Sequence, residues 1–248
     1  MKSSFNRIAA RVVCALLLFL VATEARAQTS SSWSADAAVG WDVPLSGDFL
    51  SAAIGTLNGV PVVFDSQPFA DVYGNGVVWQ FGGGYMLDEF NELRAQFSYQ
   101  RVGADVADLG TAGAFGIVAT FDDYHAYSIE GGARRYFAPR SELLRPYAGA
   151  SLGVSIISEI DAVFASPQAG LERYATDFYD GTAAFTFGVG GGVLYAVTER
   201  LDLNGQLGFR YNSGLSTIDA LVATGLENVN DKSARWTMPI TFGVRLKF

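Results

Sequence analysis

The chain has 248 residues, half of them hydrophobic, with 28 glycines and a formal net charge of −8 at neutral pH. An acidic chain is a poor partner for nucleic acid, whose backbone is bound by clustered lysine and arginine. Its one cysteine, Cys14, excludes internal disulfides, and abundant glycine and aromatic residues suit strands and turns better than helices.

The first predicted element is a secretory signal peptide at residues 1–27. Three basic residues precede an unbroken apolar run over residues 12–22, and Ala25-Arg26-Ala27 follows that run. A charged start, a short apolar centre and a small-residue cleavage site are typical of such a leader, and the run is too short to span a bilayer as a helix. We therefore predict cleavage after Ala27, which leaves one mature domain at residues 28–248 without any cysteine.

Eight segments of the mature chain alternate apolar and polar residues with the period of two that strands require. In chain order they cover residues 33–43, 77–87, 92–100, 127–134, 147–156, 182–197, 201–211 and 234–248. The last segment is the clearest, because eight apolar residues lie on one face while Arg235, Arg245 and Lys247 lie on the other. Strands that are apolar outside and polar inside are typical of a membrane-spanning barrel, and an even strand number allows the barrel to close.

The connections between these segments alternate in length. The short ones cover residues 88–91, 137–145 and 198–200, and the long ones cover about 44–76, 101–123, 158–181 and 212–233. This pattern predicts an all-β fold, an eight-stranded antiparallel transmembrane β-barrel with short periplasmic turns and long extracellular loops. A soluble antiparallel sandwich is the alternative, but it does not account for the leader or for apolar faces on every strand.

Together, the leader, the eight segments and the closing Thr-Phe-Gly-Val-Arg-Leu-Lys-Phe resemble the Gram-negative outer-membrane β-barrel superfamily of OmpA-like and OmpW-like porin-family proteins. The segment Arg145-Pro146-Tyr147-Ala148-Gly149-Ala150 is similar to the start of the fifth strand in many of them. The resemblance implies a place in the cell outer membrane, in contact with lipid and lipopolysaccharide. It also implies that the barrel-assembly machinery reads the alternating residues at the C-terminus, namely Phe242, Val244, Leu246 and Phe248.

Charged residues collect on the inward faces of the third, fourth, seventh and eighth segments. The candidate lumen charges are Glu92, Arg94, Glu130, Arg134, Asp202, Arg210, Arg235, Arg245 and Lys247. Since an eight-stranded barrel is only wide enough for side chains to fill it, we expect these charges to neutralise one another in a closed interior. A narrow passage for small solutes is the alternative interpretation.

A catalytic site is not expected. The only histidine, His125, lies three residues from Ser128, and on a strand this spacing puts the two side chains on opposite faces. The deacylase barrels that this chain resembles in size carry His and Ser two residues apart, a pattern absent here. A lone histidine is also a poor basis for a metal site, so we predict no enzymatic activity, no cofactor and no metal.

The long connections hold most of the acidic residues of the mature chain. Their charge indicates either ordinary solvation or a cation-bridged contact with lipopolysaccharide or a basic partner. The sequence therefore favours a structural or surface-interaction role in the cell envelope. A narrow porin-like channel for small or hydrophobic solutes and an adhesin that acts through the acidic loops are the alternatives.

Overall fold

The fold comes from a computed structural model, which describes residues 32–137, 143–217 and 219–248. The predicted leader at residues 1–27 lies outside the described residues. In chain order the strands are β1 (Trp33–Ser46), β2 (Asp48–Leu50), β3 (Ala53–Leu57), β4 (Val60–Phe64), β5 (Gln67–Pro68), β6 (Gly76–Met86), β7 (Asn91–Val102), β8 (Ala107–Ala112), β9 (Phe115–Phe121), β10 (Tyr124–Tyr136), β11 (Leu144–Ile157), β12 (Ile160–Ser166), β13 (Leu171–Asp180), β14 (Thr182–Ala196), β15 (Leu201–Asn212), β16 (Ser216–Thr217) and β17 (Arg235–Lys247). One α-helical turn, α1, covers Phe69–Val72, and two 3-10 helices cover Pro167–Ala169 and Asp219–Thr224.

Eight of these strands close into an antiparallel barrel in the order β1-β17-β15-β14-β11-β10-β7-β6. Closure is made by β1 and β17, where Ala37 lies opposite Val244 and Ser34 lies opposite Lys247. Both ends of the described barrel chain therefore lie at the end with the short connections, here called the short-turn end. The predicted eight-stranded barrel is confirmed. None of the helices in the described residues has the length and hydrophobicity needed to cross a membrane.

The barrel strands expose their apolar side chains and bury their polar ones. In β1, Asp36 and Asp42 are buried, whereas Val39 and Trp41 on the other face are exposed. Every barrel strand contributes to the same outward belt, which includes Val39, Trp41, Trp79, Phe81, Phe97, Ile129, Leu152, Val154, Phe185, Val189, Leu207, Phe209, Phe242 and Val244. This inversion of the usual burial pattern makes the outside of the barrel a continuous hydrophobic surface.

The four long connections are themselves folded, although the sequence suggested loops. A seven-stranded sheet in the order β16-β13-β12-β9-β8-β4-β3 takes strands from all four, and β2 pairs with β5 in a small second sheet. We call this region the cap (residues 47–75, 103–123, 158–181, 213–217 and 219–234). The cap buries one face of its large sheet and exposes the other, as Phe64 and Val63 on β4 illustrate.

The cap has a hydrophobic core with Phe49 at its centre. The Phe49 ring lies 4.9–6.1 Å from those of five aromatic residues, namely Phe69, Tyr73, Phe121, Phe178 and Tyr179. The Tyr179 hydroxyl lies 2.5 Å from the carbonyl oxygen of Phe49 and 3.0 Å from that of Asp231, and burial raises the pKa of this tyrosine. Its hydroxyl therefore stays protonated at neutral pH and can donate a hydrogen bond inside the core.

The same core continues into the mouth of the barrel. Tyr124, Ala126 and Ala184 are inward-facing residues of barrel strands, and all three belong to the cluster of buried residues that contains Phe49. The Tyr124 ring lies 5.4 Å from that of Phe69 in edge-to-face geometry. The rings of Phe69 in α1 and of Tyr73 just after it thus fill the end of the lumen that faces the cap.

Replacing Val39 with arginine tests whether the belt lies in lipid. Val39 is at the middle of β1, with Phe242 and Trp79 as its cross-strand neighbours. A cation at the midplane should lower the free energy of unfolding by about 2–4 kcal/mol, as measured by urea unfolding in liposomes. The control is Val63→Arg on the outer face of the cap, since Val63 is 43% exposed and Val39 is 40% exposed. Equal costs for the two variants would contradict a lipid-facing belt.

Truncating Phe49 tests whether the cap is a packed unit. Phe49→Ala removes a fully buried ring, so we expect a loss of about 3–5 kcal/mol in the stability of the cap. Limited proteolysis should then cut the cap faster while the barrel stays protected. The matched control, Ile54→Ala, shortens a side chain that is 74% exposed and should leave the rate unchanged. Proteolysis at the same rate in all three proteins would show that the core does not hold the cap.

Candidate functional site

The deepest charge in the lumen is Glu92 on β7, which is fully buried near the short-turn end. Its carboxylate forms an ion pair with the guanidinium of Arg245 and accepts hydrogen bonds from the Tyr136 hydroxyl at 2.5 Å and the Ser34 hydroxyl at 3.1 Å. Three groups from three other strands thus meet at one carboxylate. A charge this deep is tolerated only when its partners replace the water that it loses.

Two glycines make room for this packing. A Cβ atom at Gly84 would collide with the Glu92 carboxylate, and a Cβ atom at Gly192 would lie 2.5 Å from the Tyr147 hydroxyl. Each glycine belongs to a triplet inside a barrel strand, at a place where a larger side chain crosses the lumen. The two glycines serve as space for these side chains in a narrow barrel.

Two further ion pairs lie nearby. The guanidinium of Arg94 contacts the carboxylate of Asp36 at 2.8 Å, and both side chains are largely buried. The ammonium of Lys247 contacts the carboxylate of Asp202 at 2.8 Å, with the lysine partly exposed. The first pair joins β7 and β1, which are separated by β6, and the second joins the neighbouring strands β17 and β15.

Arg134 has an amide partner rather than a carboxylate. Its Nη2 donates to Oε1 of Gln206 at 3.0 Å, and its guanidinium carbon lies 4.2 Å from the centroid of the Tyr147 ring. The Tyr147 hydroxyl donates to Oδ1 of Asn204 at 2.8 Å. This group holds a cation by stacking and amide contact without neutralising it.

The next ion pair toward the cap joins Arg210 and Glu130 at 3.0 Å, and the Ser151 hydroxyl donates to Glu130 at 2.6 Å. Asp42 is also buried here and interacts electrostatically with Arg210 and Arg235. Between this pair and the Arg94 pair lies a cavity of about 70 Å³. A cavity of this size holds a few water molecules.

Arg235 lies where the polar lumen meets the aromatic core. Its guanidinium carbon lies 4.4 Å from the centroid of the Phe69 ring, and its Nη2 donates to the Tyr124 hydroxyl at 2.9 Å. A guanidinium stacks well on aromatic faces because it is planar and weakly hydrated. Arg235 therefore connects the charged lumen to the cap.

All nine predicted lumen residues face inward. Among themselves they form the pairs Glu92–Arg245, Glu130–Arg210 and Asp202–Lys247. Arg94 pairs instead with Asp36, whereas Arg134 and Arg235 have no carboxylate in ion-pair contact within the described residues. Asp36 and Asp42 were not among the candidates, although they alternate with the apolar residues of the first segment and could have been included on that signal.

Inward-facing tyrosines were also missed as candidates. Tyr136 donates to Glu92, and Tyr147 stacks under Arg134, so both belong to the polar network of the lumen. Hydropathy alone does not separate them from the outward aromatics of the belt. The position of each tyrosine in the alternating pattern does distinguish it from the outward aromatics, because both tyrosines lie on the same face as the charged residues of their strands.

His125 lies on the outside of the barrel. Its Nδ1 is 2.9 Å from the Tyr99 hydroxyl, and the two rings stack with their centroids 6.1 Å apart. Ser128 lies inside and donates to the Ser155 hydroxyl at 2.9 Å. The two residues are therefore on opposite faces and do not share a hydrogen bond. Within the described residues, His, Cys, Asp and Glu form no group of three or more suited to a metal ion.

No family model matches the sequence, and no curated protein matches it either. Among solved structures, Neisserial surface protein A is 22% identical over 89% of this chain and 100% of its own, with a TM-score of 0.42. The outer membrane protein AlkL, solved in lipid bilayers, is 14% identical over 91% of this chain and 95% of its own, with a TM-score of 0.49. The outer membrane enzyme PagL is 15% identical over 82% of this chain and 100% of its own, with a TM-score of 0.31.

These likenesses concern the fold. All three identities are below 25% and all three TM-scores are below 0.5.

Neutralising Glu92 tests how strongly the lumen depends on its ion pairs. Glu92→Gln keeps the shape of the side chain but leaves Arg245 buried without its counter-charge, so urea unfolding should show a loss of about 3–5 kcal/mol. The matched control is Asp123→Asn, which breaks the exposed pair with Arg101 and should cost no more than about 1 kcal/mol. Similar costs for the two substitutions would contradict a lumen in which buried charges depend on their ion-pair partners.

Proposed function

We propose that the mature chain, residues 28–248, is an integral outer-membrane β-barrel protein with a structural or surface-interaction role in the cell envelope. The observation that carries this proposal is the closed apolar belt, to which all eight barrel strands contribute. Aromatic pairs flank the belt, Trp33 with Tyr85 at the short-turn end and Tyr211 with Trp236 at the cap end. Such girdles are typical of the two interfaces of a membrane.

We propose that the two ends of the chain carry the signals for export and for barrel assembly. In this proposal residues 1–27 direct secretion and are removed, and the barrel-assembly machinery reads the last strand. Phe242, Val244, Leu246 and Phe248 all point outward and are exposed, which makes them accessible to such a machinery. The backbone N–H of Phe248 donates to the carbonyl of Trp33, so the terminal residue also contributes to barrel closure.

A closed lumen supports a structural role over a channel. Ion pairs occupy successive levels of the lumen from Glu92 to Glu130, and the aromatic residues Phe69 and Tyr124 follow at the cap end. A solute would have to pass both the charged levels and the aromatic core. The narrow porin-like channel stays the alternative function, with a small solute as its cargo.

The cap supports a role in surface interaction. Its packed core holds the outer face of the seven-stranded sheet in a fixed shape, and Ile54, Val63 and Val118 are exposed on that face. A rigid surface loses less entropy on binding than open loops do. Contact with lipopolysaccharide or adhesion through the acidic segments of the cap is the corresponding alternative.

We propose no enzymatic activity and no cofactor. The support is the placement of His125 and Ser128 on opposite sides of the barrel wall, which separates the only histidine from the nearest downstream serine hydroxyl. A hydrolase needs its base and nucleophile within hydrogen-bond reach.

Conductance in planar bilayers tests the closed lumen. We expect the refolded protein to conduct no more than the leak of the bilayer itself. The variant Arg210→Ala should also show no conductance above the leak, because water that enters beside Glu130 is still blocked by the aromatic core at Phe69. Steady conductance by the wild-type protein, with a cation-to-anion selectivity that changes in Arg210→Ala, would overturn the structural role and support the channel.

A further inference from the structure

The lumen cavity has an unusual wall. Three arginines, Arg94, Arg134 and Arg210, line it together with the amides of Gln96 and Gln206 and a single carboxylate, that of Glu130. Much of the remaining wall is glycine backbone from β11, β14 and β15. The cavity is therefore rich in hydrogen-bond donors.

The charges in the lumen do not balance. Arg94 is paired with Asp36 at 2.8 Å, and Arg210 is paired with Glu130 at 3.0 Å. Arg134 makes its direct contacts with the neutral Oε1 of Gln206 and the face of Tyr147. Unpaired charge is costly in such a lumen. One positive charge is left over among the inward-facing side chains of the described barrel that are buried or ion-paired, because the bases Arg94, Arg134, Arg210, Arg235, Arg245 and Lys247 outnumber the acids Asp36, Asp42, Glu92, Glu130 and Asp202 by one.

The surplus charge also has unused donor capacity. Arg134 is 4% exposed, and its Nη1 is buried without a hydrogen-bond partner among the described residues. Guanidinium groups in proteins bind anions through several N–H groups at once, and buried ones rarely leave an N–H unpaired.

From these observations we propose that the cavity is a binding site for one small monovalent anion, such as a halide, held by Arg134 and the neighbouring donors of the wall. The surplus of one charge sets the valence of the ligand. The volume of about 70 Å³ limits its size to that of a few water molecules. This site lies inside the barrel and is independent of the role proposed for the cap and the belt.

The test uses chloride as the probe and gluconate, a bulky monovalent anion, as the matched salt at equal ionic strength. Protein refolded into liposomes in each salt is unfolded with urea in the same salt. A ligand that binds only the folded state raises its stability, so the wild-type midpoint should be higher in chloride. The control variant Arg135→Gln changes an exposed arginine next to Arg134 and should keep the full difference between the salts.

Gln206→Glu is the decisive variant. It places a carboxylate where the amide oxygen now accepts from Arg134, so the protein supplies its own negative charge with the same side-chain shape. Its midpoint in gluconate should exceed that of the wild type, and the chloride effect should disappear. Arg134→Gln should lose the chloride effect as well. A chloride effect of the same size in the wild type and in Gln206→Glu, or none in the wild type, would overturn the anion site.

Discussion

The structure depends on one constraint, which is that a closed barrel of eight strands gives each strand one face in an apolar surrounding and one in a lumen too narrow for bulk water. Every charged residue on the inner face must therefore be stabilised inside the lumen, by a counter-charge, a hydrogen bond, an aromatic face or a bound ion. Glu92 shows how far this goes, because its carboxylate is met by Arg245, Tyr136 and Ser34 from three other strands. Charged side chains can be buried in this lumen only because ion pairs and hydrogen bonds replace the water that they lose. Such pairs do not by themselves show that the barrel is more stable than one with an apolar interior.

The two ends of the barrel are filled by different chemistry. Toward the short-turn end the lumen holds carboxylates, guanidinium groups and amides. Toward the cap it holds the rings of Phe69, Tyr73 and Tyr124, which continue into the core around Phe49. Arg235 joins the two parts, since its guanidinium stacks on Phe69 while it bonds to the hydroxyl of Tyr124. The cap is thus packed onto the barrel through the lumen mouth, and the two form one folded unit.

The alternation of the sequence predicts the barrel well, because a period of two assigns each residue to a face without knowledge of any distant contact. The eight predicted segments coincide with the eight barrel strands to within a few residues. The pairings inside the lumen do not follow from the same signal. Arg94 and Asp36 are 58 positions apart, and only the register and stagger of the closed sheet bring them together.

The strands of the cap could not be predicted from the sequence pattern for a related reason. Its strands are short, and several of them pair with strands of other connections, as β4 does with β8 and β9 does with β12. Phe49 lies in a three-residue strand whose pattern has no period to read. The unpaired positive charge of Arg134 could not be predicted either, because the sequence pattern does not show that its guanidinium contacts the amide of Gln206 rather than a carboxylate.

Fluorescence quenching of the tryptophans tests the central claim most directly. The chain has four tryptophans, Trp33, Trp41, Trp79 and Trp236, and all four lie exposed on the outward face of the barrel strands. In bilayers that contain brominated phospholipids, the account predicts strong quenching of the wild-type protein and little effect of a water-soluble quencher. Quenching by the soluble agent with protection from the brominated lipid would contradict a barrel whose apolar face lies in the membrane.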